Sequence, residues 1–512
     1  MSGIPLLDEK CIGAFVASAI GDALGWPNEF RASNTNKKGT QMSNFVEWQR
    51  RSGGRYWNHI ETILAGEYSD DTQMNLAVAR SLLSGKLWSN HFISYELPFW
   101  LEYERGGGSA MLRAANSWKN KIEPWKNKNI KSYFDAGGNG VAMRVLPHVI
   151  FHIRLLSFEF IADEVITDAI LTHGHPRAIV GALCYAYALY YLIRKQTTLS
   201  FGELVTAVSS AKSEWGRFPT VLPDDWLNTA NKEVDYRDLW DSTVEATVRS
   251  LEISSKALGK GALDSEAKTL LELGCFDKKV NGAGDIAAVA AIYLASKYAN
   301  NPILGIKSAA NALGSDTDTI ASMTGGLLGT ICGMEWIPAE WRRVQDYDCL
   351  VRIAGFLLLE NGVEVAKEYV VRSRQESAQW ERTSIGRCKR IKNYELQSGK
   401  IGTVRVSKFI TVLGQTFYIK KFLREKTLEN HPNLTSKLAT QKYSFTINSS
   451  QLPMIMNNMN LNDISFLSVL KILEMINQGT TDLTLISKKM GINKETIKMM
   501  ISLITPDEQE NM

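Results

Sequence analysis

Over residues 1–378 the chain reads as helix after helix. Apolar and small residues return every three to four positions, and strand-like alternation is scarce. Gly13, Ala14, Ala17, Ala19, Gly21, Ala23 and Gly25 form a run with few bulky side chains, which predicts a first helix packed closely against a neighbour. Met74, Ala77, Val78 and Leu82 recur at helical spacing. So do Val289, Ile292 and Tyr293, and later Ile320, Met323, Leu327 and Leu328. Loops rich in Trp, Gly, Asn and Lys are expected at Asn34–Arg55 and Asn116–Gly138. The predicted fold class is mainly all-α, with a compact helical core over 1–378.

The texture changes after a charged helix expected at Gly362–Arg382. Ile401–Val406 and Phe409–Tyr418 are β-branched, aromatic and partly alternating, with Leu413-Gly414-Gln415 as a turn, so 379–460 reads as a basic strand-rich region. Residues 461–512 return to a helical pattern: Ile464–Gln478, Leu483–Met490 and Lys494–Leu503, with Gly491-Ile492-Asn493 between the last two. This small α+β C-terminal region carries a candidate helix-turn-helix. The would-be recognition helix, opening Asn493-Lys494-Glu495-Thr496, holds few basic residues, which favours protein contact or a homo-oligomer through these helices.

Charge sharpens the division. The net charge is +4, but Glu381 to Tyr443 carries an excess of about ten positive charges. Phe409, Phe417, Tyr418 and Phe422 are interleaved with this basic run. Such a surface suits nucleic-acid contact through 381–443, or is an ordinary solvated strand face. The six cysteines are scattered without a C-x-x-C pair, as expected of buried reduced thiols in a cytoplasmic protein. Asp8, Glu9 and Lys10 before an apolar run that Asp22 interrupts do not make a secretory signal. Ala178–Ile193, bounded by arginines and broken by tyrosines, reads as a buried core helix; no membrane partner is expected.

Candidate chemistry lies in two short acidic motifs far apart in the chain. Ser69-Asp70-Asp71-Thr72 and Gly314-Ser315-Asp316-Thr317-Asp318-Thr319 each place two carboxylates and a hydroxyl before a helical run. Alone, each is equally an N-cap with acids in the first turn. The second is no EF-hand, because its fifth, sixth and twelfth positions would be Ile320, Ala321 and Leu327. Brought together, the two would form a pocket of hard oxygen ligands for Mg²⁺, Mn²⁺ or Ca²⁺. Asp135-Ala136-Gly137-Gly138-Asn139-Gly140 suits a phosphate at a helix start, or is a tight turn before a core helix; it is not a Walker A loop. Thr172-His173-Gly174-His175-Pro176 suits capping or substrate positioning better than zinc, for want of a third ligand at a convincing spacing. Asp22 and Glu29 flank Ala23–Asn28, a stretch read as a turn that aims Glu29 back toward the first helix.

Five motifs in order resemble the ADP-ribosylglycohydrolase family, which includes the dinitrogenase-reductase-activating glycohydrolases. They are Ala19–Gly25 with Glu29-Phe30, Ser69–Met74, Gly138–Arg144, Thr172–Pro176 and Gly314–Thr319, and they span roughly residues 10–335. The resemblance implies an ADP-ribosylglycohydrolase-like helical core and two Mg²⁺ (or Mn²⁺) as cofactors. By the same resemblance Ser69, Asp70 and Asp71 match one set of metal ligands, and Asp316, Asp318 and Thr319 the other. Glu29, Asp71 and Asp316 are then the catalytic carboxylates, while Gly138, Asn139, Gly140 and His175 match substrate contacts. Ser69 stands where the family usually has threonine and offers the same oxygens; Val141 replaces a commoner glycine and alters the loop. The implied activity is hydrolysis of the bond between ADP-ribose and an acceptor, which is a protein, a small molecule or a nucleic acid. Its rivals are a non-catalytic ADP-ribose sensor of the same fold and a nucleic-acid-directed regulator acting through the C-terminal module.

Overall fold

The computed structural model describes residues 4–29, 42–53, 58–155, 157–373, 380–398, 402–424 and 483–490, together with Ile497. Helices α1 (Leu7–Glu29) and α2 (Asp70–Leu82) bracket a hairpin of β1 (Trp48–Ser52) and β2 (His59–Ile63). Then come α3 (Ser109–Lys119), α4 (Leu146–His152), α5 (Phe158–Ile170), α6 (Pro176–Arg194), α7 (Gly284–Lys297), α8 (Thr317–Cys332), α9 (Tyr347–Leu358) and α10 (Gly362–Ser373), with further helices between them, the long Tyr236–Gly259 included. An antiparallel meander of β3 (Glu381–Thr383), β4 (Gly386–Ser398), β5 (Gly402–Thr411) and β6 (Thr416–Arg424) follows.

The small-residue run does what its composition predicts. α1 crosses α8 at backbone contact: a Cβ on Gly21 would collide with the Ala321 carbonyl, and one on Gly25 with that of Thr317. Ser18 and Ser322 hydroxyls meet at 2.9 Å across this seam, and the Thr317 hydroxyl donates to Gly25 O at 2.9 Å. The stretch Ala23–Asn28 is helical rather than a turn. Pro27 falls in the last turn of α1, where its missing N–H forgoes one helix bond near the end, and Asn28 Nδ2 anchors that end on Ala310 O at 2.6 Å. α6 is long and apolar enough to cross a membrane, but it lies largely buried among α5, α7 and α8.

The strand-rich region is continuous with the helical core; Met1–Lys426 forms one compact unit. Gln345 Nε2 and Asp346 of the segment leading into α9 bind Thr416. Asp346 Oδ2 accepts from the Thr416 N–H at 2.7 Å and from the Tyr68 hydroxyl at 2.7 Å. Arg80 of α2 donates to Gln415 and to Glu96. The β1–β2 hairpin presents buried Glu61, which takes Arg105 at 2.8 Å and Lys420 at 2.6 Å. Phe409, Phe417 and Tyr418 are buried, and Phe417 packs on Phe99 and Tyr103. These three rings therefore serve the core and are not available to stack on bases; Phe422 alone of the four is exposed. The helix expected to run to Arg382 is described as far as Ser373, and Glu381–Thr383 is strand. β5, the tight turn at Gly414 (φ +98) and β6 match expectation, whereas β4 was not foreseen. In the separate unit 427–512, Leu483–Met490 is a helix as expected. Ile464–Gln478, and Lys494–Leu503 apart from Ile497, lie outside the described residues.

Candidate active site

The close crossing of α1 and α8 fixes the site, because it sets Glu29 and Asp22 beside the N-terminus of α8. Asp316 caps that helix and Asp318 lies in its first turn. Asp22 is fully buried and accepts from Ser69 N at 2.9 Å, Thr72 N at 3.0 Å and Thr72 Oγ1 at 2.6 Å. A carboxylate at a helix N-terminus satisfies free N–H groups and complements the dipole. Asp22 thus ties α1 to the start of α2 and delivers Asp70 and Asp71 to the same place. Ser69 is the N-cap of α2, its hydroxyl accepting from Asp71 N at 3.3 Å; it lies behind the acids, fully buried.

Glu29, Asp70, Asp71, Asp316, Asp318 and Thr319 line one cleft of about 380 Å³, and Gly138, Asn139 and Gly140 line its other wall. The two walls touch where Asn139 Nδ2 donates to Asp316 Oδ2 at 2.9 Å, and within the acidic wall Thr319 Oγ1 donates to Asp71 Oδ2 at 3.3 Å. Asp70, Asp71 and Asp318 are buried. Burial raises all three well above the usual carboxylate range, and neighbouring charge adds to it: Asp22 for Asp70 and Asp71, Glu29 and Asp316 for Asp318. Glu29 exposes surface to the cleft but is backed by protein. That crowding, with Asp316, pushes its carboxyl up to about 7 against the opposing pull of Arg50.

These residues fit a hard divalent cation. Asp71 Oδ1 is buried without a hydrogen-bond partner, in a cleft that it shares with four more aspartates and a threonine hydroxyl. The acids are spread wider than one coordination sphere. Among the described residues, no three of them bring an oxygen each within 4.8 Å of one another.

The opposite wall differs in detail from the sequence reading. The Gly137–Gly140 turn runs into a three-residue 3₁₀ turn, Ala142–Arg144, so little helix dipole stands behind it. The Asn139 N–H is already bonded to Gly282 O at 3.0 Å. Gly140 is needed for room, because a Cβ there would press on His173 and Met111. Arg144, fully buried, donates to Gly140 O at 2.6 Å, to Asp168 and to Thr172 Oγ1.

His175 is the N-cap of α6, its Nδ1 accepting from Arg177 N at 3.1 Å, and it does not line the cleft. The lining histidine is His173, which burial and Arg144 push down to about 3, so its imidazole is neutral. The Thr172 hydroxyl accepts from Arg144 and pairs with His173 Nδ1 at 2.8 Å, which fixes the ring in the cleft wall. Sequence reading gave Asp135 no role of its own and passed over Arg113 and the start of α3 at Gly108-Ser109-Ala110; all lie in the cleft wall. The run Gly106-Gly107-Gly108 before a helix was the available signal for the last.

A helical core thus sets a wall of buried carboxylates opposite a glycine turn, an arginine and a neutral histidine. The sequence profile described as ADP-ribosylglycohydrolase matches residues 4–367, and the chain belongs to that family. It is similar to ADP-ribosyl-[dinitrogen reductase] glycohydrolase of Rhodospirillum rubrum, 28% identical over 37% of this chain and 60% of that protein, under two thirds of its length. It is also similar to ADP-ribosylarginine hydrolase Tri1 of Pseudomonas putida, 24% identical over 65% of this chain and 73% of that one. ADP-ribosylhydrolase ARH3 of Danio rerio is 24% identical over 64% and 84%.

Proposed function

We propose that the protein reverses ADP-ribosylation, hydrolysing the N- or O-glycosidic bond between ADP-ribose and an acceptor, most directly a modified protein side chain. The observation that carries this reading is the convergence of Asp70, Asp71, Asp316 and Asp318 on one cleft opposite the Gly137–Gly140 turn. The names of two relatives, a dinitrogen reductase glycohydrolase and an ADP-ribosylarginine hydrolase, favour a protein acceptor.

Asp70 and Asp71 on one side, and Asp316, Asp318 and Thr319 on the other, would hold a pair of Mg²⁺ or Mn²⁺ ions; the wide spread of the acids suits two ions better than one. When bound, such ions fix ribose hydroxyls and lower the pKa of a water. The remaining steps belong to the chain. Arg113, the one Lys or Arg among the described lining residues, offers charge to the diphosphate, with the N–H groups that open α3 beside it. His173 is a neutral imidazole on the same wall. Asn139 holds the Asp316 carboxylate in place. Glu29, with its carboxyl near 7, can take a proton from the attacking water at neutral pH. With cations in place the neighbouring acids would be held ionised, which would set negative charge near the anomeric carbon, where an oxocarbenium-like centre develops. Six free cysteines, five of them buried, suit a cytoplasmic home.

The test is a panel of ADP-ribosyl substrates linked through arginine, serine and a nucleic-acid base. Release of free ADP-ribose from at least one protein-linked substrate, lost in Asp316→Asn, supports the reading. Binding of ADP-ribose with no release from any linkage contradicts it and favours a sensor.

A further inference from the structure

We propose that His148, His152 and Glu164 form a second metal site, separate from the carboxylate cleft, that takes Zn²⁺ or a similar transition-metal ion. His148 and His152 stand one turn apart on α4, so both rings leave the same helix face. Glu164 of α5 meets them there. One ring nitrogen of each histidine and a carboxylate oxygen of Glu164 all lie within 4.8 Å of one another, and no other trio of His, Cys, Asp or Glu among the described residues does so.

Three of the four imidazole nitrogens here make no hydrogen bond. His148 is fully buried, and neither of its ring nitrogens makes a hydrogen bond; His152 Nε2 is likewise buried and unbonded. Buried polar atoms are normally satisfied, and a cluster of unsatisfied imidazole nitrogens facing a carboxylate calls for a ligand. An ordinary ion pair does not supply it. His152 Nε2 is 3.8 Å from Glu164 Oε2, too far for a hydrogen bond, and burial beside His148 pushes His152 down to about 4, so the ring is neutral and keeps a lone pair.

The donor set selects the ion. Two imidazoles and one carboxylate, with a fourth position open to water, make the usual tetrahedral N/N/O zinc arrangement, whereas Mg²⁺ and Ca²⁺ want oxygen throughout. Solvent can reach the fourth position, because the side chains of His152 and Glu164 are 14% and 22% exposed. Supporting contacts are present as well. His148 Nε2 lies 3.4 Å from Asp168 Oδ2, where a metal-bound imidazole can rest its second N–H on a carboxylate. Trp88 donates its indole N–H to Glu164 Oε2 and packs its ring on His148 at 4.6 Å. Asp168 also holds Arg144, which holds Gly140 O, so the site shares one carboxylate with the support of the cleft wall.

The test uses the full chain with excess Mg²⁺ to occupy the carboxylate cleft. Zn²⁺ is added, unbound ion is removed by gel filtration, and metal per chain is counted; a parallel Co²⁺ titration reads the visible absorption of a tetrahedral site. The expected result is one retained equivalent and a Co²⁺ band, both lost in His152→Gln and in Glu164→Gln and both kept in Asp71→Asn. Circular dichroism of these two variants confirms that their folds are intact. No retained Zn²⁺, retention unchanged in His152→Gln and Glu164→Gln, or retention lost in Asp71→Asn overturns the proposal.

Discussion

At the scale of single residues, the cleft acids oppose folding until a cation offsets them. Asp70, Asp71 and Asp318 have folded pKa values above their unfolded ones, so the folded state binds protons that the unfolded chain gives up. Each of them therefore favours the fold at low pH, and that contribution is lost as pH rises from about 4 through the folded values. In chelator, melting temperature is expected to fall between about pH 5 and pH 7.5, and saturating Mn²⁺ should remove most of that slope. Asp318→Asn should raise the chelated melting temperature near neutral pH while abolishing the Mn²⁺-induced increase; a destabilised chelated variant would contradict the electrostatic account. Glu29 tests proton transfer. Glu29→Gln keeps size and one hydrogen-bonding oxygen but cannot take a proton, so kcat should drop by about 10²–10⁴ with little change in ADP-ribose affinity. Equal kcat in wild type and variant removes Glu29 from the chemistry. The acids themselves were legible in the sequence because each motif is local and helix-initiating. Arg113 was not, because what makes it part of the site is a long-range contact with no local signature, and the His173-Gly174-His175 motif did not say which histidine faces the cleft.

At the scale of elements, the α1–α8 crossing is what assembles the site. Gly21→Ala would force a methyl group into the Ala321 carbonyl and push the helices apart, at a cost of about 1–3 kcal/mol. Because Asp22 and Glu29 ride on one helix and Asp316 and Asp318 on the other, the variant should also weaken metal binding. Gly355→Ala is the control: it lies in α9 with nothing within 4 Å of the added methyl, and should stabilise by a few tenths to about 1 kcal/mol. Thermal melts and Mn²⁺ titrations of the two variants separate packing from propensity; equal behaviour would contradict the close-approach account. The small-residue run of α1 announced this crossing. The β1–β2 hairpin was silent for a physical reason: β2 alternates in reverse, burying His59, Glu61 and Ile63 while Ile60 faces out. Glu61 can stay inside only because Arg105 and Lys420 reach it from distant segments.

At the scale of the whole molecule, the basic strand region is part of the folded unit rather than an appendage. Burial alone would raise Glu61, but Arg105 and Lys420 hold it down at about 2. Its stabilising contribution is complete above the ordinary value of 4.5 and is lost as pH falls toward about 2. Acid should therefore undock β6 from the hairpin, seen as loss of the near-ultraviolet signal, and Glu61→Gln should shrink that transition. Truncation near residue 380 would leave Glu61, Glu67 and Asp346 without their sheet partners; breaking a single buried pair of this kind costs about 3–5 kcal/mol. A soluble, fully active fragment ending there would contradict this account of the sheet. Composition located the basic region but not its docking, since a lysine bound for a buried glutamate looks like any surface lysine in sequence. The central claim joins all three scales: the cleft hydrolyses ADP-ribosyl bonds, and its carboxylates act through bound cations. Its most direct test is the rate of free ADP-ribose release from an ADP-ribosylated arginine protein, measured after chelation and again after restoring Mg²⁺ or Mn²⁺. The account predicts loss on chelation and recovery with either ion in the wild type, but no recovery in Asp316→Asn. Undiminished release in chelator, or recovery in the variant equal to wild type, would contradict it.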